Sequence, residues 1–229
     1  MTLAEKVIVF WSGGKDSAFA LYEILNSGRY EVLELLTTAT KDYDRISIHG
    51  VRHVLLEQQA KALGFPLEKT FISKASSDGE YQNELLKALK RQRDTSVSSV
   101  VFGDIFLEDV RKYREQILEK MNMNGIFPLW KRNTAALARK FINLGFKAII
   151  TSIDSNTLTK DFVGREDNEQ FLSDLPENVD PCGENGEFHS FVYNGPIFDE
   201  KISLIKGAKV LRDNHFYYCD LLSAKLKEI

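Results

Sequence analysis

The segment of this chain with the clearest chemical potential is the run Ser12-Gly13-Gly14-Lys15-Asp16-Ser17. It follows a short apolar run at residues 6–11 and opens an amphipathic run at residues 16–26, which indicates a strand, a glycine loop and a helix. Free backbone N–H groups and the positive end of the helix dipole bind anions at such a helix N-terminus. The two glycines let a phosphate oxygen approach the backbone without a Cβ in the way. The segment therefore predicts a phosphate-binding loop.

The spacing of this loop excludes one common class of phosphate site. A Walker loop has the pattern G-x-x-x-x-G-K-[ST], but Lys15 is followed by Asp16, and no glycine lies five positions before Gly14. A kinase or GTPase of that type is therefore excluded. The alternative without a ligand is a plain glycine turn in which Asp16 or Ser17 caps the helix.

The elements that must position this loop alternate between strands and helices. Strands are expected at residues 6–11, 31–38, 67–72, 97–103 and 146–153, and helices at residues 16–26, 51–63, 80–93, 109–121 and 134–143. Asn133 is expected to cap the last of these helices. Pro128 cannot donate a hydrogen bond, so residues 126–130 indicate an edge or extended segment. Because strands separated by such helices need crossover connections, the fold class is α/β, a doubly wound and mainly parallel sheet.

The composition and the hydrophobic pattern of the sequence change from about Asp154 onward. A polar, acidic stretch runs to Asp180, and two later β-like runs at residues 201–211 and 215–222 flank a turn at residues 212–214. We therefore predict an N-terminal domain at residues 1–130 and a smaller C-terminal α+β lobe at residues 131–229. An exposed strand edge in that lobe would favour a homodimer.

Composition narrows the class of protein further. The chain has 229 residues, 43% of them hydrophobic, and 30 Lys and Arg against 33 Asp and Glu, a net charge of −3. This mild acidity predicts no general nucleic-acid binding. No stretch approaches the ~20 apolar residues of a membrane span, and the first six residues do not resemble a signal peptide. The two cysteines form no C-x-x-C pair, so we expect a cytoplasmic protein with reduced thiols.

The run Ser-Gly-Gly-Lys-Asp-Ser after the first strand resembles the PP-loop of the ATP pyrophosphatase superfamily. Its members cleave ATP between the α and β phosphates, release pyrophosphate and usually leave an adenylylated substrate. The resemblance implies ATP and Mg²⁺ as cofactors and a HUP-like PP-loop domain. It implies that Asp16 helps to place Mg²⁺. By the same resemblance, the β and γ phosphates would be held by Ser12, Gly13, Gly14, Lys15 and Ser17.

Further segments follow in an order that resembles one family within this superfamily, the diphthine–ammonia ligases (diphthamide synthases). The matching segments are Phe102-Gly103-Asp104-Ile105, Arg111-Lys112-Tyr113-Arg114, Pro128-Leu129-Trp130, Cys182-Gly183-Glu184-Asn185-Gly186-Glu187-Phe188 and Gly195-Pro196-Ile197-Phe198. In that family the carboxylate of diphthine, a modified histidine of elongation factor 2, is activated as an acyl adenylate, and ammonia then displaces AMP. The resemblance therefore implies an ATP-dependent amide-forming ligase with ammonia and an acceptor carboxylate as partners.

The resemblance also implies roles for individual residues. Gly103 and Asp104 would lie at the carboxyl ends of the strands, where α/β sheets bind ligands, and Thr38 ends the second strand beside the nucleotide site. Glu184 and Glu187 would face the acyl and ammonia site, where a carboxylate with a pKa raised toward neutral could accept a proton. A solvated acidic turn is the alternative for these two residues.

One departure from the family pattern concerns the acceptor. Ligases that make diphthamide carry a second glycine and Tyr-Glu-Thr where this chain has Asn185 and then Phe188-His189-Ser190. This Asn-Gly-Glu-Phe-His variant exchanges an acidic group for an imidazole, which favours a small-molecule acid as an alternative acceptor. A non-catalytic adenine-nucleotide sensor is the other alternative. The roles of His189 and His49 stay open.

Overall fold

The first half of the chain forms a five-stranded parallel sheet with the strand order β3-β2-β1-β4-β5. The structure is a computed structural model that describes residues 4–40, 50–72, 78–93 and 96–224. Its elements are β1 (Glu5–Phe10), α1 (Lys15–Ser27), β2 (Tyr30–Thr40), α2 (His53–Ala62), β3 (Leu67–Ile72), α3 (Asp78–Arg93), β4 (Ser99–Val101), α4 (Glu108–Glu119) and β5 (Asn124–Ile126). The strand order reverses between β1 and β4. Ligands bind in α/β sheets in the crevice at such a reversal, outside the carboxyl ends of the strands.

Helices cover both faces of this sheet, as the sequence predicts. Val7 of β1 belongs to a buried cluster that includes Phe19 of α1 and Leu55 of α2. Ile8, the next residue, belongs to a second cluster with Leu89 of α3 and further side chains of α4. Since successive strand residues point to opposite faces, β1 is a central strand buried on both sides. The predicted α/β fold with a parallel sheet and a separate lobe is confirmed.

The second half of the chain builds a four-stranded antiparallel sheet with the order β7-β6-β9-β8. Its elements are α5 (Thr134–Asn143), β6 (Lys147–Asp154), α6 (Glu169–Asp174), β7 (Phe188–Asn194), β8 (Leu204–Arg212) and β9 (Phe216–Ser223). The prediction of a hairpin is confirmed, because Arg212 of β8 pairs with Phe216 of β9 across a three-residue connection in which Asp213 and Asn214 have positive φ. Asn133 caps α5 as predicted, its Oδ1 accepting a hydrogen bond of 2.9 Å from Ala136 N.

The grouping of residues 146–153 with the parallel strands is wrong. The strand exists as β6, but it pairs antiparallel with β7 and β9. Six consecutive residues of its eight are buried, so both faces of the strand are covered. A buried run of this kind is compatible with a central strand of a parallel or of an antiparallel sheet. The parallel sheet instead ends at the short edge strand β5, slightly before the extended segment that Pro128 indicated.

The two sheets meet at the phosphate loop and along α2. Arg52, at the start of α2, forms a two-point ion pair with Asp220 of β9 at 3.2 and 2.8 Å. Gln58 Nε2 donates to Ser223 Oγ at 2.8 Å. At the loop itself, Val192 N of β7 donates to Gly13 O at 2.9 Å. The second lobe is therefore in direct contact with the loop. Within the described part of the chain, no helix has the length and apolar character that a membrane span requires.

Candidate active site

The phosphate loop lies between β1 and α1, at the reversal of strand order. Gly13 has a φ of 80°, in the left-handed region that favours glycine, and Gly14 occupies the N-cap position of α1 in an extended conformation. No side chain of the described residues caps this helix. Ser12 Oγ accepts from Gly14 N at 3.3 Å, and Ser17 Oγ donates to Gly14 O at 2.9 Å, so the two serines brace the turn from within.

Lys15 is buried at the start of α1, with 4% of its surface exposed. Its Nζ donates to Asp16 Oδ1 at 2.6 Å and to the carbonyl oxygen of Cys182 in the second lobe. Burial by itself lowers the pKa of Lys15, but the charge and hydrogen bond of Asp16 and the electrostatic contributions of Cys182 and Asp167 together outweigh this and raise the pKa above the usual range. Lys15 therefore carries a positive charge at every physiological pH, which suits a group that binds phosphate.

Gly103, at the carboxyl end of the β4 segment, packs directly against the loop. A Cβ at this position would lie 2.7 Å from the backbone carbonyl carbon of Asp16, closer than any real contact permits. The next residue, Asp104, forms an ion pair of 2.7 Å with Arg114 of α4, whose guanidinium stacks on Phe10 and Phe102. Burial raises the pKa of Asp104, and the Arg114 charge partly offsets this. The structure thus brings Gly103 to the loop, while it holds Asp104 against Arg114.

Glu184 lies opposite the loop and connects the acidic turn to the segment after β4. Its Oε1 accepts hydrogen bonds from Ile105 N at 2.7 Å and Phe106 N at 3.3 Å. Burial raises the pKa of Glu184 to about 7, and the negative charge of Asp16 contributes in the same direction. A carboxylate with such a pKa changes its proton occupancy near neutral pH, as a general base must.

Glu187 is placed differently from its neighbour. It is 5% exposed, and its carboxylate accepts from Asp180 N at 3.0 Å, Asn185 N at 3.0 Å and Asn185 Nδ2 at 2.9 Å. The buried Glu187 carboxylate thus stabilises its own turn as the common acceptor of three hydrogen bonds. Gly183 completes the turn with a φ of 66°, and a Cβ there would lie 2.7 Å from Phe188 O.

Three further residues considered in the sequence analysis are Thr38, His189 and His49. Thr38 sits in β2, where it pairs with Thr70 of β3, and its side chain is half-buried. His189 lies in β7, and its backbone oxygen accepts from Thr151 Oγ1 at 3.2 Å. His49 lies outside the described residues. Their roles stay predictions.

Cys182 does not have the surroundings of a nucleophile. Burial raises the pKa of its thiol to about 12, and its Sγ donates to Thr134 O at 3.3 Å. Thiolates, not thiols, attack electrophiles, so this cysteine is a poor candidate for sulfur transfer. Its contribution to the site is its backbone carbonyl, which accepts from Lys15.

Asp167 is a site residue that the sequence analysis missed. It lies in the polar stretch after β6, is 4% exposed, and interacts electrostatically with Lys15 and Asp16. Its Oδ2 is buried without a hydrogen-bond partner among the described residues. Burial raises the pKa of Asp167 to about 6, although the positive charge of Lys15 opposes this. It belongs to no quoted motif, so only the folded chain places it beside the loop.

We expect Asp167→Asn to change how stability depends on pH. Folding raises the pKa of Asp167 from 3.8 to about 6, so the folded chain favours the protonated carboxyl. The contribution of this group to the free energy of unfolding is therefore complete below about pH 4 and is lost as pH rises through 6. Between pH 4 and 8 the wild-type free energy of unfolding should fall relative to the variant by on the order of 2 to 3 kcal/mol. Urea unfolding at several pH values measures this. Asp161→Asn, at an exposed position on the same segment, should follow the wild type; equal pH dependence in both variants would contradict the expectation.

The Asp16 carboxylate beside the loop fits the way in which Mg²⁺ is usually held at sites that bind nucleotide phosphates. The described residues contain no group of three or more His, Cys, Asp or Glu side chains that could hold a metal. Mg²⁺, however, is usually bound by one or two carboxylates together with substrate phosphates. Asp16, whose side chain is 35% exposed beside the loop, offers one such carboxylate.

The α/β site thus combines a glycine loop at the reversal of a parallel sheet, a buried lysine and a carboxylate turn in contact with that lysine, the features that the resemblance to PP-loop proteins predicts. The family model described as "Diphthamide synthase N-terminal domain" matches residues 5–125, and "Diphthamide synthase C-terminal domain" matches residues 133–226. The chain therefore belongs to the diphthamide synthase family, and the family predicted from the sequence is confirmed.

Two relatives named diphthine–ammonia ligase agree with this assignment. The chain is 28% identical to a diphthine–ammonia ligase of Danio rerio over 86% of its own length and 85% of the relative's. It is 27% identical to the diphthine–ammonia ligase of Homo sapiens, covering 86% and 82%. Among solved structures, it is similar to the U34-tRNA thiolase NcsA from Methanococcus maripaludis, with 15% identity, a TM-score of 0.35 and coverage of 62% and 57%.

Proposed function

We propose that this chain is an ATP-dependent amide-forming ligase that adenylylates a carboxylate and transfers ammonia to it, releasing AMP and pyrophosphate. The observation that carries the proposal is the contact between the Lys15 loop and the Glu184 turn: Lys15 donates to Cys182 O in that turn, and the charges of Lys15 and Asp16 act on Glu184. The first suits the polyphosphate of ATP, and the second suits proton transfer near neutral pH. The relatives named diphthine–ammonia ligase support the same reaction class.

The proposed first step places the β and γ phosphates of ATP against the loop. There, the positive charge of Lys15 and the N-terminal N–H groups of α1 stabilise the leaving pyrophosphate. An oxygen of the acceptor carboxylate attacks the α phosphorus, and the bond from that phosphorus to the bridging oxygen of pyrophosphate breaks. An acyl adenylate is formed.

In the proposed second step, the nitrogen of ammonia attacks the acyl carbon. AMP leaves with the electron pair of the broken carbon–oxygen bond, and Glu184 accepts the proton that the nitrogen loses. Glu187 acts as a positioning residue, since its carboxylate holds the turn that carries Glu184. Asp104 and Gly103 shape the wall of the crevice next to the loop.

Mg²⁺ would be held by Asp16 together with the phosphates of the nucleotide. When bound, it would neutralise part of the phosphate charge and so assist departure of pyrophosphate.

The diphthine group of elongation factor 2 is the acceptor that we propose, because the relatives that match most of this chain carry the name of that activity. The small-molecule acid that the Asn-Gly-Glu-Phe-His variant suggested as an alternative acceptor is not favoured by these relatives. A cytoplasmic location remains a prediction from the sequence. A homodimer through the exposed strand β8 remains a prediction; its Val210 and Leu211 are exposed.

The function is tested by incubating the purified chain with Mg-ATP, [¹⁵N]ammonium and elongation factor 2 that carries diphthine. We expect AMP, pyrophosphate and ¹⁵N in the modified histidine. Release of ADP and phosphate would overturn the proposed reaction. AMP formation with a small carboxylic acid, and none with the modified factor, would retain the reaction and replace the acceptor.

A further inference from the structure

Gln59 of α2 has a completely buried side-chain amide next to the phosphate loop, although no motif singles it out. Its Oε1 accepts a hydrogen bond from Trp11 Nε1 at 3.0 Å. Its Nε2 donates to Gly13 O at 2.9 Å and to Val192 O at 2.6 Å. Both amide hydrogens and the carbonyl oxygen are therefore engaged.

These three bonds join three parts of the site. Trp11 follows the end of β1, Gly13 is the left-handed residue of the loop, and Val192 lies in β7. The backbone of Val192 returns a hydrogen bond to Gly13, its N donating to Gly13 O at 2.9 Å. Gln59 thus closes a ring of hydrogen bonds between the phosphate loop and β7.

The position of β7 matters because this strand begins directly after the acidic turn. Two residues before Val192, Ser190 Oγ accepts from Lys15 N at 3.1 Å. The contacts of Gln59 therefore hold the loop that carries Lys15 and the strand that follows Glu187 in one fixed relation.

The packing leaves little freedom around this amide. A Cβ built on Gly13 would lie 2.7 Å from Gln59 Oε1, so the loop backbone rests directly against it. Removing one partner of a buried hydrogen bond leaves the other unsatisfied, which costs more than the bond itself contributes. Loss of the Gln59 amide would take one donor from Gly13 O, which keeps only Val192 N, and one from Val192 O, and it would leave the buried Trp11 Nε1 without this acceptor.

We propose that Gln59 is a positioning residue for the reaction: it orients the Gly13 peptide for the terminal phosphates and fixes the acidic turn opposite them. This inference rests on the proposed function, because it takes the loop to be the triphosphate site. It predicts that loss of the amide weakens binding of the terminal phosphates more than binding of the nucleoside part.

The test compares Gln59→Leu and Gln59→Glu with Gln58→Leu, which removes a neighbouring amide that contacts Ser223 and not the loop. Isothermal titration calorimetry measures the affinity for α,β-methylene ATP, which resists cleavage between the α and β phosphates, and for AMP. We expect Gln59→Leu to lose about tenfold or more in affinity for the triphosphate, corresponding to about 1.4 kcal/mol. Its affinity for AMP, and both affinities of Gln58→Leu, should stay near the wild-type values.

Gln59→Glu supplies a readout that a structural role alone would not produce. When the introduced carboxyl is ionised, it has no hydrogen to donate to Gly13 O or Val192 O. When it is protonated, it can donate one hydrogen bond. Triphosphate affinity should therefore recover as pH falls toward 5.5, while the affinity of Gln59→Leu should show no such recovery. If Gln59→Leu does not fold, this pH-dependent recovery alone decides the question.

The outcomes separate this inference from the function beneath it. If the wild-type chain prefers the triphosphate to AMP and Gln59→Leu shows the same preference, the role of Gln59 is overturned and the ligase proposal stands. The same conclusion follows if the triphosphate affinity of Gln59→Glu does not recover at low pH. A wild-type chain that does not bind α,β-methylene ATP at all would overturn both.

Discussion

Replacing Lys15 with methionine is expected to slow AMP formation by on the order of 10²-fold or more, since a lost preorganised donor to a developing negative charge has an effect of that size. Methionine keeps much of the shape of the lysine side chain and removes its charge. Asp16 and Asp167 would then face the incoming phosphates without the cation that lies near both of them. Affinity for the triphosphate should fall together with the rate.

The rate is measured as AMP released from ATP in the presence of the acceptor, and the affinity as binding of α,β-methylene ATP. Lys61→Met, at an exposed position in the last turn of α2, is the matched control and should behave like the wild type. Unchanged rate and affinity in Lys15→Met would remove the phosphate loop from the mechanism. Circular dichroism would establish that the variant is folded.

The position of the glycine loop between the first strand and the first helix was predictable from sequence because the residues of its motif are local. Strand, glycines, lysine and helix follow one another within residues 5–27, and Gly13 adopts a left-handed φ that glycine permits. The same holds for the cap of α5 by Asn133 and for the hairpin at Asp213 and Asn214, both of which the structure contains. Short-range patterns of this kind need no knowledge of the rest of the fold.

The groups that surround the loop were not predictable in the same way. Gln59 lies 46 positions from Gly13 in the sequence, and Asp167 lies 152 positions from Lys15. A buried glutamine on a helix looks like any polar helix residue until the partner elements are in place. Asp167 stands in an acidic stretch whose average character indicates solvent exposure, and only its tertiary neighbours make it buried.

The error over β6 has a related origin. Burial of a strand on both faces is visible in its sequence, but the identity and direction of its neighbours are not. Residues 146–153 follow a helix at the usual spacing of a crossover unit, so local spacing favoured the parallel sheet. Pairing with β7 and β9 depends on residues 188–194 and 216–223, which come later in the chain.

The two lobes share the site more closely than their separate family matches suggest. Lys15 donates to the carbonyl oxygen of Cys182, its backbone N donates to Ser190, and Gly13 accepts from Val192. Each acceptor or donor on the far side belongs to the segment matched as the C-terminal domain. We infer that the phosphate loop reaches its active shape only in the presence of the second lobe.

Glu184→Gln is expected to abolish amide formation while leaving the loop contacts of this side chain in place. Glutamine retains a carbonyl oxygen that can accept from Ile105 N and Phe106 N, so the variant removes the charge and the proton-accepting ability but keeps the anchor. General base catalysis typically contributes 10² to 10⁴-fold, and we expect a loss of about 10²-fold or more in the ammonia-dependent step. Pyrophosphate release in the first step should be affected much less.

The pH dependence of the reaction rate provides a second test of the role of Glu184. Burial raises the pKa of Glu184 to about 7, and the base is active as the carboxylate, so the wild-type rate at a constant concentration of free NH₃ should rise with pH through about 7 and then level off. Glu184→Gln should lack this rise, whereas Glu177→Gln, at an exposed position before the acidic turn, should keep it. A Glu184→Gln variant with the wild-type rate and the wild-type rise near pH 7 would show that another group accepts the proton.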